Sequence, residues 1–151
     1  MLIRTTPLLK ESVRSGMIAS LAMMPFGFVF QFFGLRVGHY GPKFAELLFG
    51  TTAAPVLFAQ HLVIGWLSAL PLLVLLLVLR RAAAPVATGA GYGLLYYILV
   101  NSLALPLYFG DPLPWQLGLD VIYPSLVVHL VYGASIGITA KAFVVREAEK
   151  R

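Results

Sequence analysis

Four long apolar runs, about Gly16 to Gly34, Pro55 to Leu79, Pro85 to Tyr108 and Val121 to Ala140, decide what this chain can fold into. Each is close to the ~20 residues that an α-helix needs to cross about 30 Å of hydrocarbon. Inside a bilayer a helix satisfies every backbone N–H and C=O within its own segment. Apolar residues make up 60% of the chain and charged residues 11%, where a soluble domain carries about 25% charge. Too few charges remain to clothe a water-facing surface. The expected fold is an all-α membrane protein, a single four-helix domain over residues 1–151 with no separate soluble domain. The basic leader, residues 1–14, resembles the start of a signal peptide. The apolar run behind it exceeds a signal core and no A-x-A site follows, so it reads as a retained helix.

Positive charge predicts the orientation, because cytoplasmic flanks hold an excess of Lys and Arg. Arg4, Lys10, Arg14, Arg80, Arg81, Lys141, Arg146, Lys150 and Arg151 fall on one side and only Arg36 and Lys43 on the other, nine against two. Both termini are expected in the cytoplasm of a prokaryotic cell with the protein in its inner membrane. The net charge of +5 therefore reports topology and contact with anionic headgroups, and no nucleic-acid partner is implied. The expected partners are the lipid bilayer itself and other membrane subunits or a second copy. Zero cysteines exclude disulfides, thiolate metal sites and iron–sulfur clusters.

In the loops, Leu35 to Pro55 predicts a short interfacial helix from about Pro42 with Phe44, Leu47 and Leu48 on one side, preceded by an interfacial turn at His39-Tyr40-Gly41. Trp115 and its aromatic neighbours belong at headgroup level. The short link RRAAAP predicts that the second and third spans are antiparallel neighbours, and the tail REAEKR reads as a solvated helix end.

A self-match stands out: His61-Leu62-Val63-Ile64-Gly65 in the second run recurs as His129-Leu130-Val131-Tyr132-Gly133 in the fourth. With both helices running from outside to inside, a tandem repeat of a two-helix hairpin would make the two histidines pseudo-symmetric. Residue counts place His61, Asn101 and His129 about 9 to 11 Å below the outer surface at 1.5 Å per residue, with Gln31 slightly shallower. Small residues share their helical faces: Gly16 and Ser20 on the first helix, Gly65 on the second, Gly89 and Gly93 on the third, Gly133 and Gly137 on the fourth. Such stripes let backbones approach closely. The expectation is a bundle tight in its cytoplasmic half and polar in its outer half.

The polar layer Gln31, His61, Tyr97, Asn101 and His129 is the candidate binding site, since polar groups in a membrane are costly and tend to pair. One reading is structural, with each imidazole bonded to a neighbouring helix and the protein a non-enzymatic accessory or structural component of a membrane assembly. The other is a ligand or redox site: paired histidines at one depth suit a bis-imidazole haem b, with Gly65 and Gly133 leaving room for the macrocycle, or a quinone or lipid site. No metal site is expected, because a third ligand is missing. No catalytic residues are assigned either: Ser125 shares a face with His129, but no carboxylate in the span orients the imidazole. The absence of charge deep in any span argues against an ion pathway.

The segments SGMIASLAMMPFGF, HLVIGW, GAGYGLLYY and HLVYGASIG together resemble the YagU-like family of small prokaryotic inner-membrane proteins over about Ser15 to Ala140. The matching positions are His61, Gly65, Gly89, His129 and Gly133. The resemblance implies a polytopic inner-membrane protein with no assigned catalytic residue. The first outer loop is shorter here than in YagU itself.

Overall fold

The computed structural model describes residues 5–79 and 84–150. Among the described residues there are seven helices and no strand. They are α1 (Thr5–Phe32), α2 (Tyr40–Phe49), α3 (Ala54–Val78), α4 (Pro85–Phe109), α5 (Pro114–Leu117), α6 (Leu119–Thr139) and α7 (Lys141–Glu149). Four of them, α1, α3, α4 and α6, are long and apolar enough to cross a membrane. Proline opens α3, α4 and α5, where its missing N–H is not needed. Gly50 and Gly110 close α2 and α4 in the left-handed conformation, φ 64° and 67°, which glycine adopts without a Cβ penalty.

The helix starts differ from the sequence expectation in two places. The first apolar helix begins at Thr5 rather than near Gly16. Glu11 can lie inside it because its carboxylate takes hydrogen bonds from Arg14 at 2.6 and 3.1 Å and from Ser15 Oγ at 2.6 Å. Arg14 Nη2 also donates to the Thr139 carbonyl at 2.6 Å, tying α1 to the end of α6. The interfacial helix begins at Tyr40, so Tyr40 and Gly41 belong to α2 and not to a turn before it.

Around the bundle the order is α3, α1, α6, α4, with α1 packed along both α3 and α6 and α4 packed along α6. The link holding Arg80 and Arg81 lies outside the described residues, as do Arg4 and Arg151. The expectation that α3 and α4 pack as neighbours fails over most of their length. The small-residue faces explain why, since they are already taken within each hairpin. A Cβ on Gly16 would stand 2.7 Å from the Gly65 carbonyl oxygen and 2.9 Å from Trp66 Cα, and one on Gly65 would run into Ser20 Oγ. In the second hairpin a Cβ on Gly137 would stand 2.7 Å from the Pro85 carbonyl carbon, and Gly89 and Gly93 meet the backbone at Gly133 and His129 in the same way. The HLV-x-G echo thus has a counterpart in packing, with Gly65 against Gly16 and Ser20 and Gly133 against Gly89 and Gly93.

The end of the bundle that carries the described termini is solid. Leu72, Leu73, Leu76, Ile136 and Ala140 are fully buried there, and α7 folds back to add Phe143 and Val144. The tail is therefore solvated only beyond that point, where Lys150 pairs with Glu147. At the opposite end, beneath α2, the helices part.

Candidate functional site

Where α3 and α4 separate, the bundle holds a half-open cavity of about 1380 Å³. Its walls are mostly apolar, with Met23, Met24 and Phe28 on α1 and Phe58 and Leu57 on α3. Gln31, His61, Tyr97, Asn101 and His129 all line it. The cavity ends toward the solid half where α3 and α4 do touch: Tyr92 donates to the Ser68 carbonyl at 2.8 Å and Ser68 Oγ to the Tyr96 hydroxyl at 3.3 Å.

The polar groups reach the cavity by two routes. On α3, His61 gives Nε2–H to the Ser20 carbonyl of α1 at 3.1 Å. On α4 and α6, Asn101 Nδ2 donates to Ser125 Oγ at 2.7 Å, and the Ser125 carbonyl receives His129 Nδ1–H at 2.6 Å. The His129 ring stacks on Tyr96, with centroids 5.6 Å apart at 23°, and meets Tyr97 at 5.8 Å. Asn101 sits in a stretch of wider π-helical turn, Tyr97–Ala104, of a kind frequent at functional sites. Pro106 supplies a local reason, because it has no N–H to give the Ser102 carbonyl that an α-helical turn would pair with it.

Gln31, expected slightly shallower than His61, Asn101 and His129, lines the cavity apart from them. Its Nε2 lies 3.5 Å from the Val37 carbonyl, in the exposed loop before α2, so it belongs to the cavity mouth and joins neither histidine. The haem b geometry is not met. The space beside Gly65 and Gly133, expected to take a macrocycle, is filled by the Ser20 side chain of α1 and the backbone of α4 at Gly89 and Gly93. His61, with Nε2 engaged, offers only Nδ1, the nitrogen next to its own helix. The two imidazoles are equivalent in sequence but not in use, one bonded across to α1 and the other within α6 and stacked on Tyr96.

Helix α2 roofs the cavity with Phe44, Leu48 and Phe49. Three contacts hold it. Gln60 Nε2 donates to the Gly41 carbonyl at 2.9 Å. Lys43 Nζ donates to both oxygens of Asp111 at 2.6 Å, with His39 Nε2 3.3 Å from Oδ2. Tyr40 stacks on Phe109 at 5.8 Å, and Phe44 meets the same ring edge-on at 5.2 Å. The Lys43 ammonium holds the Asp111 carboxyl below the usual carboxylate range. Burial, together with the positive charges of Arg36 and Lys43, pushes His39 below an ordinary imidazole, and burial raises the Tyr40 phenol.

Several of these residues escaped the sequence reading. Tyr96 and Gln60 look like ordinary members of apolar runs. The Lys43–Asp111 pair joins two loops 68 residues apart; its one sequence signal is that a rare base and a rare acid fall on the same side of the predicted membrane. Three buried polar atoms of lining residues, Ser20 Oγ, Gln60 Oε1 and His39 Nε2, lack a hydrogen bond of good geometry, His39 Nε2 having only the Asp111 carboxylate at 3.3 Å. No protein-family model matches this chain, and neither a curated protein nor a solved structure does.

Proposed function

We propose that this is a non-enzymatic membrane protein of the prokaryotic inner membrane, with both termini cytoplasmic, that holds an amphiphilic small molecule, a lipid or a molecule of similar build, in the cavity beneath α2. The observation that carries this reading is the cavity itself. At about 1380 Å³ it exceeds the ~300–1,000 Å³ usual for small-molecule sites, and it sits in a bundle whose other half is packed backbone to backbone. Apolar walls with a few buried polar groups suit a molecule with a tail and a head. The nine-to-two distribution of positive charge supports the orientation. A kinship with YagU-like proteins, resting on His61, Gly65, Gly89, His129 and Gly133, would fit the same location.

An accessory role within a larger membrane assembly is compatible with this reading. The side of α1 near the cavity mouth leaves Phe28 and Phe32 largely exposed, a face available to lipid or to another subunit.

Gly27 provides the test. It lines the cavity, and a Cβ there would meet only Val37 Cγ1, at 3.7 Å. Gly27→Leu is expected to insert and fold as the parent does, while a molecule that co-purifies with the parent, detected by native mass spectrometry, is lost. A parent that carries no bound molecule and gains none when mixed with membrane lipid extract would overturn the proposal.

A further inference from the structure

Among the amide and imidazole side chains of the cavity, Gln60, His61, Asn101 and His129 share one property. Each uses an N–H on the protein: Gln60 on the Gly41 carbonyl, His61 on the Ser20 carbonyl, Asn101 on Ser125 Oγ and His129 on the Ser125 carbonyl. A neutral imidazole that donates through one nitrogen keeps a lone pair on the other, and an amide that donates keeps its carbonyl oxygen. What is left is a set of acceptors, Gln60 Oε1, His61 Nδ1, Asn101 Oδ1 and His129 Nε2, together with the second N–H of each amide and the unpartnered Ser20 hydroxyl. Gln60 is only 8% exposed and its Oε1 is buried without a partner, a state that is unfavourable unless a donor arrives. Beside them, the Tyr96 hydroxyl accepts from Ser68 and keeps its own proton to give.

Resting on the reading of the cavity as an amphiphile site, we infer that the head of the bound molecule is an uncharged, hydroxyl-bearing group, such as the sugar or polyol of a glycolipid, recognised by Gln60, His61, Asn101 and His129. A hydroxyl both gives and accepts, so it satisfies this mixture. A quinone ring offers only acceptors, so it can take the remaining N–H and O–H protons but leaves the four lone pairs unmet. A choline head has no N–H or O–H to give. An ammonium head has donors but no counter-charge: Asp111 is the carboxylate in the lining and Lys43 occupies both its oxygens, while Arg36 at the same mouth repels a cation.

The test uses the full chain purified in a dimethylamine-oxide detergent, which carries no hydroxyl, and transferred to phosphatidylcholine nanodiscs. Glucosyl-diacylglycerol, phosphatidylethanolamine and ubiquinone are titrated separately and occupancy is read by native mass spectrometry. Glucosyl-diacylglycerol is expected to saturate the protein at a concentration about tenfold or more below the other two, a preference worth one or more hydrogen bonds. Gln60→Leu and Asn101→Leu are each expected to reduce that preference several-fold. Because Gln60 also anchors α2, Asn101→Leu provides the independent variant, and the ranking on the parent protein stands without either. Tighter binding of phosphatidylethanolamine or of ubiquinone overturns the hydroxyl assignment while leaving the cavity a lipid site. Failure of all three lipids to bind the parent, or binding that is equal in parent and Gly27→Leu, overturns the cavity reading itself.

Discussion

Gly91 and Gly93 lie two residues apart on α4 and face different surroundings. A Cβ on Gly93 would stand 2.9 Å from the His129 carbonyl carbon and 3.3 Å from Leu130 Cα, while one on Gly91 meets nothing within 4 Å. Gly93→Ala must push α4 away from α6 and is expected to destabilise by about 1–3 kcal/mol, as overpacking does. Gly91→Ala is expected to be neutral or to stabilise by about 0.5–1 kcal/mol through helix propensity. Thermal unfolding of the two variants in one detergent measures the contrast, and equal midpoints would mean that the glycine face does not carry the contact. These glycines were legible in the sequence because spacing of four marks one helical face. The partners of the histidines were not: His61 bonds a backbone carbonyl, and every residue offers one. Tyr96 was equally hidden, since an aromatic side chain in an apolar run reads as lipid-facing until a ring from another helix is found against it.

At the scale of the element, α2 is the part most sensitive to conditions outside the bundle. Its anchor pairs Lys43 with Asp111 and places His39 beside them. Both Asp111 and His39 bind protons less readily with α2 in place than when it is detached. Their contributions are therefore complete above the detached values, near 3.8 and 6.5 respectively, and are lost as pH falls. His39 is the first to act, below about its ordinary value, and Asp111 only in stronger acid. Amide hydrogen exchange over residues 40–49, corrected for intrinsic rate, is expected to rise between pH 7.5 and 5. In His39→Gln that rise should disappear, and in Lys43→Ala exchange should be high throughout. A pH-independent profile in the parent would show that His39 does not contribute to the anchor. The sequence indicated this helix through Pro42 and its apolar side. Its role as a roof was not visible, because the anchor at Asp111 lies on the loop between α4 and α6.

The whole molecule can be oriented directly because the chain has no cysteine, so single cysteines can be introduced without removing others. Trp115 is largely exposed near the cavity mouth, and Glu149 ends α7. On the proposed topology, a membrane-impermeant thiol reagent is expected to label Trp115→Cys in spheroplasts and Glu149→Cys only after lysis; the reverse pattern would invert the topology. The number of apolar helices was legible from run length alone, and the solid and open halves from where glycines and polar groups fall. The order of helices was not. A short link suggests contact, yet the glycine faces commit α3 to α1 and α4 to α6. The seam between α3 and α4 opens beside exposed apolar side chains, Val63 and Leu67, and on the proposed reading of the cavity as a lipid site it faces the hydrocarbon. An occupant leaving through it passes into the acyl chains and not into water, so occupancy follows the mole fraction of that molecule among the lipids. Diluting the aqueous phase would leave the cavity filled, whereas diluting the membrane with unrelated lipid would empty it.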